Sequence, residues 1–259
     1  MLGAIIGDVI GSVYEFEPHK TKDFELFTEE NYLTDDSMMT MAVGCACAKA
    51  DLSDEKDFKS WVAYYMRKIG REYPEAGYGL HFFRWIKSDF MGAYRSFGNG
   101  SAMRVSPVAW VATDLEQAET LARWSAEVTH NHPEGVKGAQ AVAAAVYLAK
   151  TGKSKAEIRA YVEQVYYTLD FTLDEIRPAY EFDVTCQGSV PQAIECFLES
   201  TDFEDAVRNA VSLGGDSDTL AAMAGAIAEA YYGIPDTLKE HVYTLFTPPI
   251  KQYCSMFLK

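Results

Sequence analysis

Apolar side chains in this chain recur at helical spacing, and several of the runs start behind a residue suited to cap a helix. Phe58, Trp61, Val62 and Tyr65 stand at i, i+3, i+4 and i+7 behind Asp54, which lines them up on one stripe of a 3.6-residue helix. Leu115, Ala118, Leu121, Ala122 and Trp124 follow Asp114, with Gln117 three residues on to complete a capping box. Ser154 with Glu157 and Thr172 with Glu175 repeat that signature. The Ala-rich runs Val136 to Ala149 and Leu220 to Ala230 suit closely packed, buried helices. Alternating apolar and polar residues between turns, the mark of a half-buried strand, are almost absent. The fold class is therefore all-α, and residues 1–259 read as one multi-helix domain, because no repeat, long linker or compositional break divides them.

With 48% hydrophobic residues the chain can bury a sizeable core. No stretch reaches the roughly 18 to 20 uninterrupted apolar residues of a membrane span, and Met1 leads into an apolar run containing Asp8 instead of a signal-peptide core. The expectation is a cytoplasmic protein with no membrane partner. Five cysteines (Cys45, Cys47, Cys186, Cys196 and Cys254) include no Cys-x-x-Cys pair and read as reduced thiols. A net charge of −15 repels nucleic acid phosphates. Any anionic ligand must then be held by local devices such as metals, backbone N–H groups or a particular Arg, and the oligomeric state stays open.

In an all-helical chain, chemistry is sought at the joints, where helix ends leave backbone groups unpaired. Thr34-Asp35-Asp36-Ser37 precedes the apolar helix Met38 to Ala50, and taken alone it is ordinary capping chemistry. Gly214-Gly215-Asp216-Ser217-Asp218-Thr219 again sets two carboxylates and a Thr hydroxyl at the mouth of an Ala-rich helix. Four carboxylates and two hydroxyls are hard oxygen donors, suited to a pair of Mg²⁺, Mn²⁺ or Ca²⁺ ions, whereas zinc would prefer His and Cys. If both helix starts meet, mutual repulsion almost requires cations between them.

Two further joints offer groups to a ligand. Gly98-Asn99-Gly100-Ser101-Ala102-Met103-Arg104 is a Gly-rich turn entering a helix, either a bare turn or a source of free N–H groups and an Arg for a phosphate. Thr129-His130-Asn131-His132-Pro133-Glu134-Gly135 leads into Val136 to Ala149, with Pro133 suited to the first turn. Its two His suit a cap or a substrate hydrogen bond better than a metal. At the N-terminus, Gly3, Gly7 and Gly11 allow close helix packing, and Glu15 ends the buried segment, where partial burial would raise its pKa toward neutrality.

Taken in order, the Gly-Asp…Gly…Glu start, Thr-Asp-Asp-Ser, Gly-Asn-Gly-Ser-Ala-Met-Arg, Thr-His…His-Pro-Glu-Gly and Gly-Gly-Asp-Ser-Asp-Thr resemble the ADP-ribosylglycohydrolase family, from residue 3 to about residue 235. The resemblance implies an all-α fold around a binuclear Mg²⁺ or Mn²⁺ centre, with Thr34, Asp35, Asp36, Asp216, Asp218 and Thr219 at the metal-ligand positions. It implies a catalytic role for Glu15 beside Asp35 and Asp36. It also makes Asn99, Gly100, Ser101, Met103 and His130 contacts to the phosphates and riboses of ADP-ribose, and it sets Thr185 to Pro191 near the substrate.

The expected activity is hydrolysis of the glycosidic bond between ADP-ribose and a protein side chain or small molecule. Glu15, Glu17, Asp23 and Glu25 tilt the acceptor toward arginine over serine. The adenine calls for an aromatic face, which a chain with 13% aromatic residues can supply. Two other readings remain: a non-catalytic ADP-ribose binder or structural protein on the same fold, and a two-metal phosphohydrolase.

Overall fold

The computed structural model describes residues 1–258. Among them the helices, in chain order, are α1 (Leu2–Gly11), α2 (Asp35–Cys47), α3 (Glu55–Glu72), α4 (Leu80–Lys87), α5 (Gly100–Met103), α6 (Ser106–Val111), α7 (Leu115–Glu127) and α8 (Pro133–Lys150). They continue with α9 (Lys155–Val165), α10 (Leu173–Ile176), α11 (Cys186–Leu198), α12 (Phe203–Leu213), α13 (Ser217–Tyr232), α14 (Asp236–Leu245) and α15 (Pro248–Cys254). One isolated antiparallel bridge, Gly98 with Thr185, is the sole β pairing among the described residues.

The local signals act as expected, with two differences. Asp54 caps α3, and Phe58, Val62 and Tyr65 are buried along it, with Trp61 partly so. Ser154 with Glu157 and Thr172 with Glu175 form reciprocal capping boxes. At α7, Asp114 accepts from the Gln117 amide, but the Gln117 side chain accepts from the Thr113 amide and hydroxyl, so no box closes there. The Gln117 side-chain oxygen reaches one residue further back and finds two donors on Thr113. The second difference is that the helix expected over Met38 to Ala50 runs from Asp35 to Cys47, which puts both carboxylates into its first turn.

Helix α13 is the centre of the fold, packed against α1, α12, α11 and α8. Its most extensive neighbour is α1, every residue of which is buried. The glycine spacing explains how two backbones come so close. A Cβ on Gly7 would lie 2.0 Å from the Ala221 carbonyl oxygen, one on Gly3 2.4 Å from that of Gly225, and one on Gly11 2.4 Å from the Asp218 Cα. The Ala-rich face of α13 completes the fit. Sequence pattern here becomes long-range geometry, because α1 ends against the first turn of α13.

Gly7→Ala is therefore expected to lower stability by about 1–3 kcal/mol, since a backbone carbonyl cannot step aside. Gly92→Ala, where an added Cβ meets nothing within 4 Å, should stay within about 1 kcal/mol of the parent. Urea unfolding of both variants makes the comparison; equal midpoints would show that the close approach is not what limits α1.

Candidate active site

The N-termini of α2 and α13 and the turn before α5 open onto one cleft of about 860 Å³. Glu15, Asp35, Asp36, Asp216, Asp218 and Thr219 all line it, together with Asn99, Gly100, Met103 and His130. Two acidic joints far apart in sequence thus meet. Carboxylate oxygens of Asp8, Asp36 and Asp218 lie within 4.8 Å of one another, and so do those of Glu15, Asp216 and Asp218. Thr219 Oγ1 donates to Asp36 Oδ2 at 3.0 Å. Glu15 sits four residues beyond α1, in the turn that follows it, so a loop presents it and not the helix itself.

Asp35 and Thr34 are disposed differently. Asp35 lies outside both carboxylate groups, and its Oδ1 is 3.6 Å from where a Cβ on Gly77 would stand. Thr34 caps α2: its Oγ1 accepts from the Asp36 amide at 3.2 Å and donates to Asp8 Oδ1 at 2.6 Å. Asp8 also accepts from the amides of Thr34 and Ser37, at 3.0 and 3.1 Å, and from the Ser37 hydroxyl. This fully buried carboxylate ties α1 to the start of α2 and stands within the metal-competent group. Its one sequence signal is a charge inside an apolar helix, which demands partners from elsewhere in the fold.

Burial dominates the electrostatics. It pushes Asp8 up to about 6 against the hydrogen bonds from Ser37 and Thr34, and Glu15 up to about 7 with help from the charges of Asp216 and Asp8. Asp35 is pushed up to about 8 by burial and then by Asp8 and Asp216. Asp36 and Asp218 stand well above the ordinary carboxylate range, through burial and then through Asp218 and Asp216 respectively. Asp216 is raised less, because Asn99 donates to it. A divalent cation held among these carboxylates would favour their charged forms and oppose the shifts. The donors are hard oxygens, and Asp36 Oδ1 is buried with no hydrogen-bond partner. Both facts fit a metal of the Mg²⁺ or Mn²⁺ class.

The Gly-rich turn is pinned from behind. Asn99 N donates to the Val184 carbonyl at 2.8 Å, Cys186 N to the Phe97 carbonyl at 2.9 Å, and the Cys186 thiol to the Gly98 carbonyl at 3.1 Å. Thr185, at the head of α11, lines the cleft. The side chain of Asn99 turns to the carboxylates, with Nδ2 donating to Asp216 Oδ2 at 2.7 Å. Ser101 Oγ donates to the Gly135 carbonyl at 2.6 Å and is fully buried, so its hydroxyl anchors α8 and is not directed to a ligand. The backbone amides of Gly100 and Ser101 have no acceptor among the described residues. His130 Nε2 stands 3.2 Å from where a Cβ on Gly100 would be. His132 caps α8 by accepting from the Glu134 amide at 3.2 Å, and neither His belongs to the carboxylate groups. Phe16 and Phe182, stacked with centroids 6.3 Å apart, also line the cleft and stay exposed.

Residues 1–257 match the sequence profile of the family described as ADP-ribosylglycohydrolase. The chain is 29% identical to the ADP-ribosylhydrolase ARH3 of Mus musculus, over 90% of this chain and 83% of that protein. It is 28% identical to ARH3 of Homo sapiens, over 90% and 84%. It is 26% identical to the ADP-ribosylarginine hydrolase Tri1 of Pseudomonas putida (strain GB-1), over 90% and 70%. Among solved structures, a chain titled ADP-ribosylglycohydrolase-related protein complex superposes with a TM-score of 0.64 at 23% identity, covering 94% of this chain and 93% of the other, a likeness of fold. No helix among the described residues is long and apolar enough to cross a membrane.

Carboxyls raised in the folded state bind more protons than in the unfolded chain between the ordinary carboxylate range and about 8, so their stability contribution falls as pH rises through that window. His130 and the Met1 amine, both lowered by burial, slope the other way. The carboxylate contribution is isolated by comparing the parent with Asp36→Asn. In chelator, the parent should lose more melting temperature than the variant between pH 6 and 8, and Mn²⁺ should restore it most at pH 8. Parallel pH profiles would remove the carboxylate cluster as the cause.

Proposed function

Because the chain belongs to the ADP-ribosylglycohydrolase family, we propose that it hydrolyses the glycosidic bond between ADP-ribose and its carrier with the help of two divalent cations, Mg²⁺ or Mn²⁺. The observation that carries this reading is the meeting of the Asp36, Asp216 and Asp218 carboxylates with Glu15 in the same cleft as the Gly98–Met103 turn and His130. Asp36, Asp216 and Asp218 are the residues to hold the cations, with Thr34, Asp35 and Thr219 beside them. When bound, such ions orient ribose hydroxyls and a water and lower that water's pKa.

The protein's own groups supply the rest. Cleavage develops positive charge on the anomeric carbon, and a preorganised set of carboxylates is the electrostatic complement of that charge. Glu15, open to the cleft beside the carboxylate cluster, is placed to take a proton from water or give one to a leaving group. The free amides of Gly100 and Ser101 and the ring of His130 suit the phosphates and a ribose. Phe16 and Phe182 are the aromatic faces on offer to the adenine.

Arginine is the favoured acceptor. A protonated guanidinium linkage needs an acidic pocket to hold it, whereas a serine alkoxide needs a proton to leave. Of Glu15, Glu17, Asp23 and Glu25, only Glu15 lines the cleft, so the support comes from the carboxylate cluster and from the activity in the name of the Pseudomonas putida relative. A cytoplasmic location and an ADP-ribosylated protein as partner belong to the same proposal.

Three experiments test it. Calorimetric titration with Mn²⁺ should show binding to the parent and strongly weakened binding to Asp36→Ala and Asp218→Ala; parent-like affinity in both would overturn the metal site. Mass spectrometry of products from peptides ADP-ribosylated on Arg and on Ser should show free ADP-ribose from the parent and none after chelation. AMP with a phosphoribosylated peptide would mean pyrophosphate cleavage, and no product would mean a binder. With metal content verified, Glu15→Gln should lose about 10²-fold or more of kcat on the linkage it serves. Full turnover on both linkages would make Glu15 a structural residue.

A further inference from the structure

Behind the Gly-rich turn runs a buried hydrogen-bond chain that none of the roles above uses. Arg104 follows α5, is 1% exposed, and donates from its guanidinium to Thr129 Oγ1 at 3.0 Å and to the Ser125 carbonyl at 3.3 Å. Thr129 is fully buried and its Oγ1 lies 2.7 Å from His130 Nδ1. The backbone of this corner is fixed, with the amides of both Thr129 and His130 donating to the Ala126 carbonyl. The other ring nitrogen, Nε2, faces the turn, 3.2 Å from a Cβ position on Gly100 and 3.7 Å from one on Gly98.

Proton counting decides how the chain is polarised. A Thr hydroxyl has one proton and two lone pairs. Arg104 has only donors and occupies one lone pair. The hydroxyl proton needs an acceptor, and the one within reach is His130 Nδ1. In the opposite arrangement Nδ1–H would point at the second lone pair, leaving a buried hydroxyl proton with nothing to receive it. The doubly protonated ring is disfavoured as well, because burial and the Arg104 charge hold the His130 pKa well below its ordinary value.

We propose that Arg104 and Thr129 are positioning residues that lock His130 in its neutral Nε2–H form, so that the ring presents a hydrogen-bond donor to an oxygen of the ligand seated at the Gly98–Ser101 turn. The ligand's identity rests on the function proposed above; the tautomer does not. His130 would then favour an anionic or ether oxygen at that point and reject a ligand donor. Arg104 also borders the cleft, and in this device it acts through Thr129 and His130.

Long-range ¹⁵N–¹H correlation spectra of ¹⁵N-histidine protein test the tautomer directly. Of the five His signals, that of His130 is assigned by its loss in His130→Gln. The parent should show a protonated Nε2 and a bare Nδ1, Thr129→Ser should keep that pattern, and Thr129→Val should lose it. Calorimetry with ADP-ribose should give a Kd about ten-fold weaker for Thr129→Val, parent-like for Thr129→Ser, with Mn²⁺ affinity unchanged in both. A parent ring protonated at Nδ1 overturns the proposal even if Thr129→Val does not fold. So does a folded Thr129→Val with parent-like tautomer and Kd. If the tautomer pattern holds but ADP-ribose does not bind the parent, the ligand assignment fails and the positioning role stands.

Discussion

Everything in the cleft depends on two backbones touching. The glycines of α1 let it lie against α13 closely enough that no side chain fits between Gly7 and Ala221, and Gly11 meets the Cα of Asp218. This contact sets the end of α1 beside the first turn of α13. Asp8, one turn before the end of α1, then reaches across to the start of α2 and fixes the amides and hydroxyls of Thr34 and Ser37. Three chain segments are thereby locked together by one steric fit and one carboxylate.

That arrangement stores electrostatic cost where the chemistry is wanted. Concentrating buried carboxylates raises the pKa of each, because burial disfavours charge and each neighbour repels the next. A chain that kept them only for stability would do better with apolar residues of similar size. Their number, their burial and the unpartnered oxygen of Asp36 make sense together as a cation site. The same crowding pushes Glu15 up when no cation is bound, and its loop leaves it open to the cleft.

Much of this was legible in the sequence, within a definite limit. Caps such as Ser154 with Glu157 are settled by residues three apart, so the helices and their joints could be read directly. The hydroxyl-plus-carboxylate helix starts at Thr34 and Asp216 could be read too, but their meeting is a property of tertiary packing, and motif order through the family resemblance was the guide to it. Side-chain direction was beyond reach. Ser101 looks like a ligand donor in sequence yet hands its proton to Gly135, and Asn99 in the same turn points at Asp216. Asp8 is not legible as a site residue because its four side-chain hydrogen bonds come from Thr34 and Ser37, more than twenty residues away, where no local pattern records them. Gln117 meets the Thr113 donors and not the Asp114 amide, a one-residue difference that the spacing alone does not decide.

The hydrogen bond from Asn99 to Asp216 joins the Gly-rich turn to the carboxylate cluster without an intervening residue. Opposite charges would then be held on either side of one side-chain amide. A ligand that draws the turn inward shifts that amide, and with it the carboxylate's orientation; a cation that takes hold of the carboxylate restrains the turn in return. Linkage makes such an effect equal in both directions. On the function proposed above, the cation and the ligand are thus expected to change each other's affinity, and Asn99 is one route by which they would do so.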